Sequence, residues 1–475
     1  MTDSSAPSRP TGLAAYLDRR TAVMLGLGFA AGLPNLLIFD TLSAWLRQAG
    51  LSLETISFFS LATLTYAFKF LWAPVVDRTQ VPWLTSKLGH RRSWILLMQI
   101  AIVVGLWLVA LSHPAEHLGL LAVCAVFTGF VSATQDIVID AWRIEAAPQQ
   151  HQGAMAAAYQ WGYRMALIVA GAVPLILAQY YGWSLSYGFM ACLMAVGVLA
   201  VLAAPREQEH IVRPLIPGGA PTNSLRLVGY IAGAFVDPLK DFCARFGRDA
   251  SLILALICLY RISDFVLNLM NPFYLDLGFS LTEIAEVRKV YGVAMSMLGV
   301  FMAGWAIARV GLMRPLMVGA LASPLTHLSY AWLTTQGPQL SALTVAIGVD
   351  NIATGFAGTC LIAYMSSLTT VGFTATQYAL FSSLYALPGK LIASQSGRIV
   401  ERAAQSADAD GWVSPLKRLL SGLPPDSFAA GAAKGGVSPA ALGAGYIAFF
   451  VYSFALGLVG VVLTAIVVRR RPSGS

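Results

Sequence analysis

Apolar segments about the length that a bilayer-spanning helix needs recur along the whole chain. They cover roughly residues 22–46, 54–76, 93–112, 118–142, 153–178 and 183–203, then 250–275, 286–308, 314–335, 341–368, 374–398 and 443–468. Six lie on either side of a polar loop from about Ala204 to Asp249, which predicts an all-α membrane protein of twelve transmembrane helices in two six-helix halves. Within the fourth span Thr128, Ser132, Asp136 and Asp140 recur every four residues, so a helix aligns them in one polar stripe. A charge at membrane depth disfavours insertion by about 2.5 to 3.5 kcal/mol, so this stripe must face a protein interior or a watery cavity. Arg261, Asp264, Asn268 and Asn271 are spaced to draw a similar face along the seventh span. Gln160 and Arg164 share a face in the fifth, and Tyr66 and Lys69 in the second.

The polar segments give the orientation. With a cytoplasmic amino terminus, 19 Lys and Arg residues fall in inside segments and eight in outside ones, and Lys69, Arg164, Arg261 and Lys390 fall within spans. That bias places both termini in the cytoplasm. The expected layout is a cytoplasmic segment 1–21, a bundle 22–203, a cytoplasmic linker 204–249, a bundle 250–468 and a tail 469–475. No secretory signal is visible in the polar start. Composition agrees with a membrane chain: 57% of residues are hydrophobic, 11% are charged, and the mean hydropathy is +0.67. The net charge of +8 is therefore a matter of topology, and nucleic acid is a poor candidate partner. The five cysteines stand singly, without metal-type spacing. No nucleophile elbow, metal cluster or phosphate loop points to an enzyme or to ATP drive.

The halves repeat weakly. Gln48 to Ile56 after the first span resembles Leu275 to Ile284 after the seventh, and Tyr159 precedes Arg164 by five residues as Tyr385 precedes Lys390. Between spans two and three, Asp77-Arg78 and Gly89-His90-Arg91-Arg92 look like the cytoplasmic loop of the major facilitator superfamily, although the ten residues Thr79 to Leu88 separate the acidic and basic parts. Asp77, Arg78, Arg91 and Arg92 are read as a gating loop, with maintenance of topology as the plainer alternative. An insertion at about 403–442, rich in Ala, Gly, Ser and Pro, is expected to be a solvated periplasmic loop, with a short amphipathic helix around Trp412, Lys417 and Arg418 and a flexible stretch from Gly431 to Gly436.

At finer grain the chain resembles the AmpG family of muropeptide permeases. The resemblance rests on Gly28 to Pro34, Phe58-Phe59-Ser60, Phe68 to Pro74 with Asp77-Arg78, Ser132 to Arg143, Gly162-Tyr163-Arg164, and Ala375 to Leu380. It implies an inner-membrane importer of GlcNAc-anhydroMurNAc and its peptides for cell-wall recycling. It further implies proton coupling with no cofactor beyond the gradient, an indirect part in beta-lactamase induction, and a monomer in which two halves rock about a central site.

Such a substrate brings carboxylates, for which Arg and Lys are partners, and hydroxyls and acetamides, which suit Asp, Asn, Gln and Tyr. The expected substrate contacts are Asn35, Asp40, Tyr66, Lys69, Gln135, Tyr159, Gln160, Arg164, Arg261, Asn268, Asn271, Asp350, Asn351, Gln377, Tyr385 and Lys390. Proton coupling is expected at Asp136 first, then Asp140 or Asp264, with permanent ion pairing as the alternative for each. Most of the six histidines fall in loops or near helix ends, and none is expected to relay protons. Two other functions fit the same pattern: a carrier of another acidic solute such as acetyl-coenzyme A, and a membrane sensor that binds wall fragments without moving them.

Overall fold

The computed structural model describes residues 17–49, 64–112, 114, 118–147, 149–206, 224–393 and 395–470, and every regular element among them is helical. The amino-terminal segment, the Gln48 to Ile56 repeat beyond Ala49, the first part of the second span and the end of the tail lie outside the described residues. The chain forms two compact units. One holds residues up to Arg248 together with Met365–Ser383, and the other holds Asp249–Tyr364 and Leu384–Ser475.

Seven described helices, 21 to 32 residues long, are apolar and long enough to cross a membrane. The first span is a helix, Arg19–Leu36, followed by a π-helical turn, Leu37–Thr41, and a short helix, Leu42–Gln48. Proline explains part of this irregularity. Pro34 has no N–H to offer the carbonyl four residues back, which is that of Ala30. Gln135 Nε2 donates to that carbonyl at 3.1 Å instead. Pro174 likewise frees the Ala170 carbonyl, and Thr41 Oγ1 donates to it at 3.0 Å. Two side chains from neighbouring helices thus complete ladders that proline interrupts, as a lipid environment requires.

The seventh span departs most from expectation. It runs as Asp249–Leu259, Ile262–Val266, a 3₁₀ turn Leu267–Leu269 and Met270–Leu277, so the regular face drawn through Arg261, Asp264, Asn268 and Asn271 does not exist as one helical stripe. The linker also differs from the polar loop expected: Ser224–Phe246 is a 23-residue helix.

The insertion is not a solvated loop. The helix Ser396–Asp408 enters it, Ser414–Leu420 forms a 3₁₀ helix, and Ala429–Gly435 forms another short helix that includes Gly431 of the stretch expected to be flexible. Val413, Leu420, Phe428 and Ala432 are buried, while Trp412 is exposed. The Phe428 N–H donates to the Asp276 carbonyl at 2.7 Å, and Tyr446 Oη donates to the Asp276 carboxylate at 2.7 Å. A composition poor in large apolar residues concealed a packed fold in which Val413, Leu420 and Phe428 are buried.

Close helix crossings rest on glycine. A Cβ at Gly28 would strike the Tyr159 carbonyl, and one at Gly162 would strike the Leu25 carbonyl, so the first and fifth spans touch backbone to backbone. Gly299 and Gly355 bring the eighth and tenth spans together against Ile352 and Ser296 in the same way. Gly162→Ala is expected to cost about 1–3 kcal/mol by overpacking, read as a lower melting temperature of the purified protein. Gly119→Ala, where a Cβ meets nothing within 4 Å, is expected to leave it nearly unchanged.

Candidate functional site

Three polar clusters occupy the described bundles. The first gathers at the helix ends beside the expected gating loop. Arg91 opens the third span, His90–Leu111, and is fully buried. Its Nε and Nη2 reach the two carboxylate oxygens of Glu145 at 3.0 and 2.7 Å, and Nη2 also reaches Asp77 Oδ1 at 2.7 Å. Asp77 in turn accepts from the N–H groups of Ala375 and Thr376 at 3.2 and 2.8 Å and from the Thr376 hydroxyl at 2.6 Å. These are otherwise unmet donors in the first turn of Thr374–Ala393, so the carboxylate caps that helix and meets the positive end of its dipole. Arg92 does different work, donating to the Val201 and Leu202 carbonyls where the sixth span ends. Arg78 pairs with Asp237 of the linker helix at 3.2 Å.

The linker helix is fastened at the same place. Asp241 accepts from Thr370 Oγ1 at 2.9 Å, Gln377 Nε2 at 3.0 Å and Arg245 Nε at 3.0 Å. Partial burial pushes its carboxyl up, but the hydrogen bonds from Thr370 and Gln377 and the Arg245 charge outweigh that and hold it below the usual range. Gln377 was expected among the substrate contacts. Its amide nitrogen instead donates to Asp241 and to the Pro238 carbonyl, and its oxygen accepts from the Thr370 N–H.

The second cluster surrounds the stripe of the fourth span, Leu118–Glu145, whose four members Thr128, Ser132, Asp136 and Asp140 are all buried. Tyr66 Oη donates to Ser132 Oγ at 2.7 Å, and Asn35 also bonds to Tyr66. Lys69 interacts electrostatically with both Asp136 and Asp140. Asp140 sits 3.4 Å from Arg143, whose guanidinium lies over the Tyr378 ring. Asp136 differs from it, because its Oδ1 is buried with no hydrogen-bond partner. The Tyr159 and Tyr163 rings pack together beside it, with centroids 6.0 Å apart. Gln160 and Arg164 are half-buried on the same helix, Gln149–Tyr181. Gln135 is used by the Ala30 carbonyl.

The third cluster lines a cavity of about 200 Å³ bounded by Arg261, Asp264, Tyr274, Arg288, Tyr330, Asp350 and Asn351 among others. Arg261 Nε donates to Asp264 Oδ2 at 2.5 Å, and Ser323 Oγ donates to Oδ1 at 2.5 Å. Arg261 occupies the break between two helical segments, outside helical geometry at φ −122°, which frees it to fold back onto Asp264. Asp350 accepts from Tyr330 Oη at 2.8 Å and Thr326 Oγ1 at 2.9 Å. Asn351 donates to the Ile347 carbonyl one turn back, and the Tyr385 ring packs on Phe265. The side chains of Asp40, Asn268, Asn271 and Lys390 lie outside the described residues.

Four contributors escaped the sequence reading: Glu145, Arg288, Ser323 and His327. Glu145 follows Arg143 by two residues at a helix end and carried no signal apart from its charge. Arg288 was counted only as an outside charge. His327 stands in mid-helix in Met313–Gln336 and is fully buried, contrary to the expectation for the histidines as a group.

Residues 23–393 match the family model described as Major Facilitator Superfamily. The anhydromuropeptide permease of Escherichia coli K12 is 34% identical over 401 residues, covering 84% of this chain and 76% of that protein. AmpG 4 of Rickettsia felis, a protein named as a transporter, is 32% identical over 388 residues, covering 81% and 91%. Among solved structures, the transporter FucP in its outward conformation matches with a TM-score of 0.62 at 12% identity, over 93% of this chain and 98% of that one. The proton:xylose symporter XylE matches with a TM-score of 0.54 at 11% identity, over 94% of each. At such low identity these two structures speak for the fold alone.

Removing one partner of the buried ion triad tests its weight. Arg91→Ala strands Asp77 and Glu145 without their shared cation and is expected to cost about 3–5 kcal/mol, measured as a loss of thermal stability. The linker fastening titrates separately. Because the folded Asp241 carboxyl is held low, its contribution is full above its unfolded value of about 4 and disappears as pH falls through the lower folded value. Hydrogen-exchange protection of Ser224–Phe246 should therefore be level from about pH 7 to 5 and drop only below about 4.

Proposed function

The chain belongs to the major facilitator superfamily, and within it to the AmpG permeases, and we propose that it imports GlcNAc-anhydroMurNAc and its peptides from periplasm to cytoplasm by proton symport. The observation that carries this reading is the 34% identity with the Escherichia coli anhydromuropeptide permease over 84% of the chain. The clusters supply the chemistry that such a cargo needs. Arg261 and Arg288 line a cavity beside Asp350, Asn351 and two tyrosines, a mixture suited to a carboxylate with sugar hydroxyls around it. Asp136 supplies a buried carboxylate oxygen with no hydrogen-bond partner, beside Tyr159 and Tyr163, which suits a group that takes up and releases a proton.

The remaining assignments follow from the same reading. The protein sits in the bacterial inner membrane with both termini cytoplasmic, works as a monomer and draws on the proton gradient, feeding recovered wall fragments to recycling and, indirectly, to beta-lactamase induction. The Asp77–Arg91–Glu145 triad with its cap on Thr374–Ala393 lies at the cytoplasmic helix ends in that orientation. Breaking and remaking this cap is the gating step, since three hydrogen bonds to one carboxylate can exchange together for water.

Uptake of labelled GlcNAc-anhydroMurNAc into proteoliposomes checks the proposal. With an inward acid gradient, accumulation should exceed equilibrium, an excess of unlabelled muropeptide should suppress it, and acetyl-coenzyme A should not. Asp136→Asn should abolish accumulation while exchange between internal and external substrate continues. Binding with no uptake under any gradient would instead make the chain a sensor, and suppression by acetyl-coenzyme A would change the cargo.

A further inference from the structure

His327 occupies a position that the gating and substrate clusters do not explain. It is completely buried in Met313–Gln336 and faces groups on three other spans: Asp264 of the seventh, Asp350 of the tenth and Ser453 of the twelfth, while Ser323 of its own span bonds to Asp264, and Thr326 and Tyr330 bond to Asp350. Its Nδ1 is 2.9 Å from Ser453 Oγ, and its Nε2 is 3.6 Å from Asp264 Oδ1, with no hydrogen bond of its own. Ser453 Oγ also lies 3.3 Å from the Ser263 carbonyl.

The hydroxyl has one proton, and counting donors decides what the ring needs. If Ser453 donates to Ser263, Nδ1 must carry a hydrogen, and the neutral ring then turns a bare Nε2 toward a carboxylate oxygen. If Nε2 carries the hydrogen instead, Ser453 must turn to Nδ1 and the Ser263 carbonyl loses its donor. The doubly protonated ring keeps both hydrogen bonds and turns an N–H, in place of a bare nitrogen, toward the carboxylate 3.6 Å away.

We infer that His327, bridging Ser453 and Asp264, is a proton-binding site in the second unit that couples protonation to the charge of the adjacent cavity. This rests on the importer reading above and names a proton site separate from Asp136. The charges support it. Arg261 and Arg288 balance Asp264 and Asp350 around the cavity, so a proton on His327 leaves one net positive charge beside it. A substrate carboxylate entering that cavity restores neutrality. By linkage, proton and anionic substrate each strengthen the other's binding, which is the thermodynamic condition for symport. Asp264 is the positioning residue: Arg261 and Ser323 fix its two oxygens, so that Oδ1 faces the ring.

Binding of GlcNAc-anhydroMurNAc to the purified full-length protein, measured in a pH series from about 7.5 to 5.5, tests this. Wild type should bind about tenfold tighter at the acid end, within the range usual for coupled sites. In His327→Gln, checked for an unchanged melting temperature, the change over the same range should shrink to about threefold, the remainder belonging to Asp136. Ser453→Ala, which retains the imidazole and removes the acceptor for its charged form, should move the midpoint to lower pH, a shift that a purely structural role would not produce. If His327→Gln keeps the wild-type pH dependence, or Ser453→Ala leaves the midpoint in place, the inference is overturned while the importer reading stands. If wild type neither binds nor takes up the disaccharide, the importer reading falls and this site falls with it.

Discussion

A charge at membrane depth must find its partner inside its own helix bundle, because the bilayer offers no water to receive it. Much of the architecture follows from that constraint. At the helix ends the same rule holds for Arg91, which is fully buried against two carboxylates, one of them also capping a helix amino terminus. Arg261 is satisfied by a neighbour three residues away, and the seventh span breaks to let it turn back. The same need operates at smaller scale on backbone carbonyls, where Gln135 and Thr41 replace the donors that Pro34 and Pro174 lack.

Some of the groups that such pairing leaves incomplete are available for work. One oxygen of Asp136 and one nitrogen of His327 are buried without hydrogen bonds, whereas Asp77, Asp264 and Asp350 each hold two or more. A fully bonded carboxylate resists protonation. An incompletely bonded one can gain or lose a proton without dismantling its surroundings, and each unit contains such a position.

Much of the fold was legible because a bilayer imposes one length and one polarity on every span. The apolar runs, their number and the buried stripe of the fourth span all follow from hydrophobic pattern, and Arg261 with Asp264 from spacing alone. Site details were harder to read because they depend on contacts far apart in sequence. Gln377 and Gln135 read as substrate contacts, since an amide in an apolar run signals a polar task but not which one; one fastens the linker helix and the other meets a carbonyl freed by proline. His327 was discounted with the other histidines, most of which fall in loops or near helix ends, and its partners on three other helices left no mark in the local sequence. The insertion read as solvent-exposed because small residues dominate it, yet Val413, Leu420, Phe428 and Ala432 are buried within it.

The central claim is that substrate entry is coupled to proton entry. Proteoliposomes in weakly buffered medium, with no gradient imposed and a pH electrode outside, test it directly when GlcNAc-anhydroMurNAc is added. The account predicts prompt alkalinisation of the medium that a protonophore abolishes. Entry of labelled disaccharide at the same rate with no change in external pH would contradict it.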